Sequence, residues 1–280
     1  MNEISEPSKT AKMSREDVYS YLTGPARQLQ LVVEDTVTST NDLLKIDAAN
    51  HVPSGKAIVA AHQTAGKGRR GRSFYSPDDT GLYLSLLVRP DMSAEDSLSL
   101  TTAAAVAVCK AIETVLGVET SIKWVNDVYC RGRKVTGILT EAGTIPGQGS
   151  KLSWAVIGIG VNVWVPKGGF PEDIRHIAGA LLEPDQRRDE PIRSRLAAAI
   201  LNEYMEIYPD LLTRHYMDEY RRRSFVVGKT VRLMDVDHKI IEDQPPVTVT
   251  GIGDRAELIV KEPDGHVRTI NSGEVSLLLD

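Results

Sequence analysis

Only two cysteines, Cys109 and Cys130, occur in 280 residues, and they form no Cys-x-x-Cys pair. That number and spacing exclude a disulfide framework and a cysteine-based zinc site, and fit a reducing compartment. Their apolar neighbours read both thiols as packing residues. No run reaches the roughly 18 consecutive apolar residues that a membrane span requires. Residues 1–11 are polar, without the hydrophobic stretch of a secretory signal. A basic excess is missing too: the formal net charge is −5, which argues against a general nucleic-acid binder, whose basicity would be widespread. The expectation is a soluble cytoplasmic protein with no membrane or DNA partner. Apolar (41%) and charged (25%) contents are those of an ordinary globular chain, long enough for one large domain or two.

Against this acidic background stands Gly66-Lys67-Gly68-Arg69-Arg70-Gly71-Arg72, with four cations, three glycines and no apolar side chain to bury. Such a stretch reads as an exposed, mobile loop. Glycine lets a ligand approach backbone N–H groups, and Arg supplies paired donors. A compact anion such as phosphate suits it; a solvated basic turn is the plainer reading.

The rest of the chain alternates strands and helices. Residues 1–13 are expected to be disordered. Ser14-Arg15-Glu16-Asp17 resembles a capping box opening a short helix that ends near Gly24-Pro25. Strands are expected at 31–33, 57–61, 82–88, 121–125 and 154–160, with a hairpin over 128–141. Ser39 or Thr40 caps a helix carrying Leu43, Leu44 and Ile46, and that helix start could also hold a small polar ligand. Residues 97–116, rich in Ala, Leu and Val and followed by Gly117, predict a buried helix. Residues 166–186 read as irregular, 192–208 as an amphipathic helix and 211–223 as a second helical pattern. Beyond Ser224 come short strands at 231–234, 247–250, 257–260 and 275–278, the texture of a small β-barrel. The fold class is therefore α+β, a mixed or antiparallel sheet with packed helices, followed by a small β domain. The boundaries expected are 1–24 for a tail and short helix, 25–223 for the main domain and 224–280 for the β domain.

Two phosphate signatures fail on the basic loop. A Walker A loop needs Gly at position 61 and Ser or Thr at 68, where this chain has Ala61 and Gly68. Gly66, Gly68 and Gly71 match the dinucleotide fingerprint, but a helix must start there. Instead Pro77, Asp78, Asp79 and Gly81 lead to another strand. Lys123, Asn126, Asp127, Lys134, Glu141 and Asn162 fall at strand ends. Each alone is a solvated charge or turn former; together they offer cations for phosphate, a carboxylate for Mg²⁺ and an amide for a base edge.

Five blocks in order resemble the motifs of biotin protein ligases. They are Ser39-Thr40-Asn41, the run from Gln63 to Arg72, Lys123-Trp124-Val125-Asn126-Asp127, Lys134-Val135-Thr136-Gly137-Ile138-Leu139 and Gly158-Ile159-Gly160-Val161-Asn162. The resemblance implies a class II synthetase-like catalytic domain with a C-terminal SH3-like domain. It implies an enzyme that makes biotinyl-5′-AMP from biotin and MgATP and passes the biotinyl group to a lysine of biotin carboxyl carrier protein. By the same resemblance, Ser39, Thr40, Asn41, Gln63, Gly66, Lys67, Arg69, Lys134 and Gly137 would bind biotin. Arg69, Arg70, Arg72, Phe74, Lys123, Asn126, Asp127 and Asn162 would bind ATP, Asp127 beside the metal. Lys134 and Arg69 would be the catalytic pair.

Val125 and Lys67 depart from the family's frequent Pro and Arg. About thirty residues precede the catalytic region, too few for a DNA-binding winged helix, so the monofunctional type is expected. Monomer and homodimer stay open. The alternatives are a lipoate or octanoate ligase or transferase of the same fold, a non-catalytic biotin-binding module, and an RNA binder. Only Phe74 and Tyr75 lie near the loop for base stacking, which disfavours the last.

Overall fold

Side chains alternate across a strand, so each strand of a sheet covered by helices must satisfy two faces. The computed structural model describes residues 11–234 and 244–271 and the backbone of 274–277. Its main sheet contains β1 (Gln30–Val37), β2 (Lys56–Gln63), β3 (Gly81–Val88), β4 (Ser121–Lys123), β5 (Asp127–Cys130), β6 (Arg133–Thr144) and β7 (Leu152–Asn162). The strand order is β1-β2-β3-β7-β6-β5-β4. The β1–β2 pair is parallel and the others are antiparallel, the mixed sheet expected.

The helices are α1 (Arg15–Ser20), α2 (Thr40–Ala49), α3 (Leu98–Leu116), α4 (Ile192–Ile207) and α5 (Met217–Arg223). Leu82, Leu84, Leu86 and Val88 of β3 join Ile157, Ile159 and Val161 of β7 in the large core that contains α3. Leu87 and Val156 point to the opposite face and pack with Leu44 and Ala48 of α2. Further along that second face, Ser85 pairs with Gly158, Tyr83 with Gly160, and Gly160 in turn with Gly137 of β6. Period two thus places a nearly bare strip of glycines beside the start of α2.

The long helix α3 ends at Gly117, whose φ of 70° gives the left-handed cap that glycine accommodates. By length and composition residues 94–116 could cross a membrane, but they are mostly buried and form the centre of the core. Both thiols are buried, and burial pushes Cys109 up to about 11, in keeping with packing rather than reactivity. Ser14 accepts from the Asp17 N–H at 3.0 Å, as the capping box predicts.

After Ser224 a second, antiparallel sheet is built from β8 (Thr230–Met234), β9 (Val247–Ile252), β10 (Leu258–Lys261), β11 (Val267–Ile270) and β12 (Glu274–Leu277), ordered β11-β10-β9-β8-β12. It is attached through specific bonds: Trp124 Nε1 donates to Ala256 O at 2.7 Å, and Arg221 Nε to Ile252 O at 3.0 Å.

Three expectations need correction or limits. Residues 11–13 are held rather than disordered: Ala11 N donates to Arg188 O at 2.8 Å and Met13 is buried. Residues 1–10 and the end of the last expected strand at Leu278 lie outside the described residues. The helical pattern over 211–223 is broken, because Arg214 adopts φ 60° between a 3-10 turn (Tyr208–Thr213) and α5. Strand β11 is an addition.

Candidate active site

A cavity of about 190 Å³ opens on the second face of the main sheet. Its floor is made where β1 hands the chain to α2. Ser39 caps α2 with extended backbone (φ −156°), and its hydroxyl accepts from Asp42 N at 3.4 Å. Gln63, at the end of β2, accepts from Thr40 N at 2.9 Å through Oε1, while its Nε2 donates to Ser76 Oγ at 3.3 Å. Asn41 is buried and donates through Nδ2 to Leu139 O (3.3 Å) and Glu141 Oε2 (2.9 Å). Gly158 makes room for it: a Cβ there would lie 2.1 Å from Asn41 Oδ1.

The roof is the basic loop, and it has more structure than its composition announces. Phe74 N donates to Gly66 O (2.9 Å) and Gly68 N to Arg72 O (2.7 Å), closing a short hairpin. Its tip turns through Arg70 (φ 56°) and Gly71 (φ 77°). Gly66 is buried, with Ser76 Oγ 2.4 Å and Phe74 O 2.6 Å from where a Cβ would be. The loop joins two antiparallel strands and holds only a 3-10 turn (Arg69–Gly71), not the start of an α-helix, as the failed Rossmann test requires.

The contacts that hold this roof down include three on its inner side. Lys67 Nζ reaches Asp42 Oδ1 at 2.7 Å, Arg69 Nη1 donates to Asn126 Oδ1 at 2.9 Å, and the Phe74 ring lies on the glycine strip. A Cβ on Gly160 would come within 2.6 Å of that ring, and one on Gly137 within 3.0 Å. Asn126 is fixed from behind by donating to Ile138 O at 2.9 Å.

Between floor and roof, Lys134 Nζ lies 2.6 Å from Asp127 Oδ1. This is an ion pair by proximity, since that oxygen is buried and accepts no directed hydrogen bond. Lys134 is also held by its backbone, which bonds to Ile177 O (2.9 Å) and accepts from Gly179 N (2.8 Å). Asn162 donates to Gly179 O at 2.9 Å. Residues 166–186, irregular as expected, thus form a wall, bringing Phe170, Ile174, Ile177 and Ala178 to the cavity.

Charge is graded across the site. Burial would raise the Asp42 carboxyl, but hydrogen bonds from Lys67 and Lys45 outweigh it and hold the group below its ordinary value. Burial likewise would lower Lys45, and its bonds to Glu141 and Asp42 raise it instead. Lys67, Arg69, Arg72 and Lys134 line the remainder, with Asp127 the one carboxylate at the cavity wall among the described residues.

This chemistry suits a ligand with a hydrogen-bonding head at the floor and anionic groups under the roof. Residues 33–162 match the Biotin/lipoate A/B protein ligase family. The bifunctional ligase/repressor BirA of Bacillus subtilis is 34% identical over 273 residues, covering 96% of this chain and 80% of that protein. The chain belongs to the biotin protein ligase family. The biotin–[acetyl-CoA-carboxylase] ligase of Mycobacterium tuberculosis is 33% identical over 218 residues, 74% of each chain. Among solved structures, the biotin protein ligase of Aquifex aeolicus in complex with biotin and ATP superposes with a TM-score of 0.67 at 26% identity, covering 90% of this chain and 99% of that one.

Of the residues the family resemblance singled out, Ser39, Thr40, Asn41, Gln63, Lys67, Arg69, Arg72, Phe74, Asn126, Asp127, Lys134, Gly137 and Asn162 all line the one cavity. Three do not. Gly66 is packed behind the roof, Arg70 sits exposed at its tip, and Lys123 lies on β4 paired with Asp127. The structure adds Ser85, Asp42 and Lys45, which support the wall, and Asp79, which pins the stem after the roof to Arg188 Nη1 at 2.9 Å. Glu141, expected at a strand end, lies inside β6 and off the cavity, where it holds Asn41 and Lys45.

Proposed function

We propose that the chain attaches biotin to a lysine of a biotin carrier protein in an ATP-dependent reaction that passes through biotinyl-5′-AMP. The observation that carries this reading is the single cavity that joins a neutral hydrogen-bonding floor to a cationic roof and Lys134. A biotin protein ligase must bring two anions together, and a carboxylate is a poor acyl donor until it is adenylated. A carboxylate oxygen of biotin attacks the α-phosphorus, the bond to the β-phosphate bridging oxygen breaks, and pyrophosphate leaves. The neutral amine of the acceptor lysine then attacks the acyl carbon, AMP departs with the C–O electron pair, and the amine proton passes to solvent.

Ser39, Thr40, Asn41 and Gln63 hold the ureido head, Gly137 lets the ligand come close to β6, and Gly66 lets the roof pack against Phe74 and Ser76 behind it. Lys134 and Arg69 stabilise charge that grows on the carboxylate and α-phosphate in the transition state. Lys67 and Arg69 draw the roof over the reacting groups, which excludes water. Arg70, Arg72 and Lys123 add positive field at the phosphates. Phe74, Asn126, Asp127 and Asn162 lie along the nucleotide.

Magnesium fits this site in one way. Among the described residues no three His, Cys, Asp or Glu side chains come together, and Asp127 is the one described carboxylate with a buried oxygen that accepts no directed hydrogen bond. Mg²⁺ typically takes one or two carboxylates and fills its shell with phosphate oxygens and water, and Asp127 would be its protein ligand. When bound, the ion neutralises phosphate charge.

We assign catalysis to residues 25–223, an SH3-like accessory role to 224–280, the acceptor to biotin carboxyl carrier protein and the location to the cytoplasm. A lipoyl substrate has no head group to hydrogen-bond with Ser39, Thr40 and Gln63, so the floor favours biotin. The test is transfer of labelled biotin to a carrier domain with MgATP. Labelled carrier is expected; transfer of labelled lipoate with no biotinylation would overturn the proposal.

A further inference from the structure

Ser85 sits at the centre of β3, fully buried and behind the cavity wall rather than on it. Its Oγ is 2.6 Å from Asn41 Oδ1 and 2.7 Å from Thr40 Oγ1. One hydroxyl has one proton, so these two short contacts cannot both be donated by Ser85.

The surrounding bonds decide where that proton goes. Asn41 Nδ2 faces two acceptors, Leu139 O and Glu141 Oε2, which fixes the amide so that Oδ1 faces Ser85. An amide oxygen only accepts, so the Ser85 proton belongs to Asn41. Ser85 Oγ and Thr40 Oγ1 stand 2.7 Å apart; with the Ser85 proton committed to Asn41, that pair is a hydrogen bond only when Thr40 supplies the proton. Thr40 Oγ1 also lies 3.1 Å from Gln63 Oε1, the longer of its two contacts, and the Thr40 N–H at 2.9 Å keeps that oxygen satisfied without the hydroxyl proton while leaving its second lone pair for a ligand. Sending the Thr40 proton to Gln63 instead would leave either the 2.6 Å or the 2.7 Å oxygen pair without a proton, in a buried place where unmatched lone pairs are costly.

We propose that Ser85 is a positioning residue that sets the polarity of the head-group pocket. By drawing the Thr40 proton inward, it leaves Thr40 Oγ1 and Gln63 Oε1 facing the cavity as acceptors. Both atoms belong to cavity-lining residues, so they receive an N–H from the ligand. Ser39 Oγ, which accepts from Asp42 N, keeps its own proton for a ligand carbonyl. A cyclic urea carries that pattern of two N–H donors and one C=O acceptor, whereas a dithiolane carries neither. This inference rests on the biotin reading of the site and assigns a cause to its selectivity.

The test is a double-mutant cycle on the full chain with Ser85→Ala, Thr40→Val and the pair, reading biotin Kd by calorimetry, KM for ATP and the melting temperature. If Ser85 acts through Thr40, each single change weakens biotin about tenfold. The pair is then no weaker than Thr40→Val alone, and KM for ATP stays unchanged. Desthiobiotin, which keeps the ureido head, weakens by the same factor. Multiplying effects, about a hundredfold in the pair, overturn the proposal. Should Ser85→Ala not fold, Ser85→Cys in both backgrounds gives the same cycle, its thiol being a weak donor of similar size. An equal loss with and without the Thr40 hydroxyl counts against the proposal in either series. Failure of the wild-type chain to bind biotin would instead overturn the underlying reading, while tight wild-type binding with additive effects overturns the Ser85 role alone.

Discussion

Asn41 and Lys67 serve opposite walls of one cavity, and they are held by different physics. Asn41 is 4% exposed and fixed by hydrogen bonds to β3 and β6, elements of the main sheet. Lys67 leaves 43% of its side chain in solvent and is held by an ion pair to Asp42. Exposed pairs contribute about 0–1 kcal/mol and weaken with salt, whereas orphaning a buried polar group costs about 1–3 kcal/mol. The floor is therefore organised before substrate arrives, and the roof is held by contacts weak enough to exchange. On the function proposed above, selectivity falls to the first and closure to the second, with Lys134 between them.

The largest expected effect is at that middle point. Lys134→Ala is expected to slow pyrophosphate release by about 10²–10³-fold, as loss of a transition-state charge partner does. Its biotin Kd should change far less; comparable losses in both would place Lys134 in ground-state binding.

Breaking the floor comes next. Gly158→Ala would place a methyl 2.1 Å from Asn41 Oδ1 and 2.8 Å from Cγ. We expect a stability loss of about 1–3 kcal/mol in denaturant melts, together with weaker biotin binding. An unchanged Kd would show that the floor is more pliant than its hydrogen bonds imply.

At the roof, Arg69→Ala removes the anchor on Asn126. Faster escape of the adenylate, by about tenfold, is expected in a trap assay, since one charge-assisted bond of about 1.5 kcal/mol or more is lost.

The smallest effect belongs to Asp42→Asn, which should raise KM for ATP by less than about fivefold and remove part of its salt dependence. The Asp42 carboxyl lies below its ordinary value in the folded chain. Its stabilisation is thus complete above the unfolded carboxylate value and is lost as pH falls through the folded one. Roof closure should consequently be flat between about pH 6 and pH 8 and weaken only in acid. A break near neutrality would assign closure to another group.

The contrast also explains what the sequence disclosed. Strands and helices with clean periodicity, such as Gly81–Val88 and Leu98–Leu116, were legible, as were the polar blocks at their ends. Ser85 was not, because a serine inside Leu-Tyr-Leu-Ser-Leu-Leu looks like an ordinary strand position until the register sets it beside Gly158 and Asn41. Strand β11 escaped because no residue in Val267–Ile270 is buried, leaving no apolar alternation to read. The break at Arg214 lacks a glycine or proline to announce it. Residues 166–186 read correctly as irregular, yet their role as a cavity wall depends on long-range bonds from Lys134 and Asn162 that no local pattern encodes.

Hydrogen exchange of the backbone amides, with and without biotin and ATP, compares the two walls most directly. The amides of Gly68, Arg72 and Phe74 are expected to exchange quickly in the free protein and to become protected when both ligands bind, while amides of β3 around Ser85 stay protected throughout. Roof amides that are already protected without ligand, or that gain nothing when both are present, would contradict a preformed floor under a closing roof.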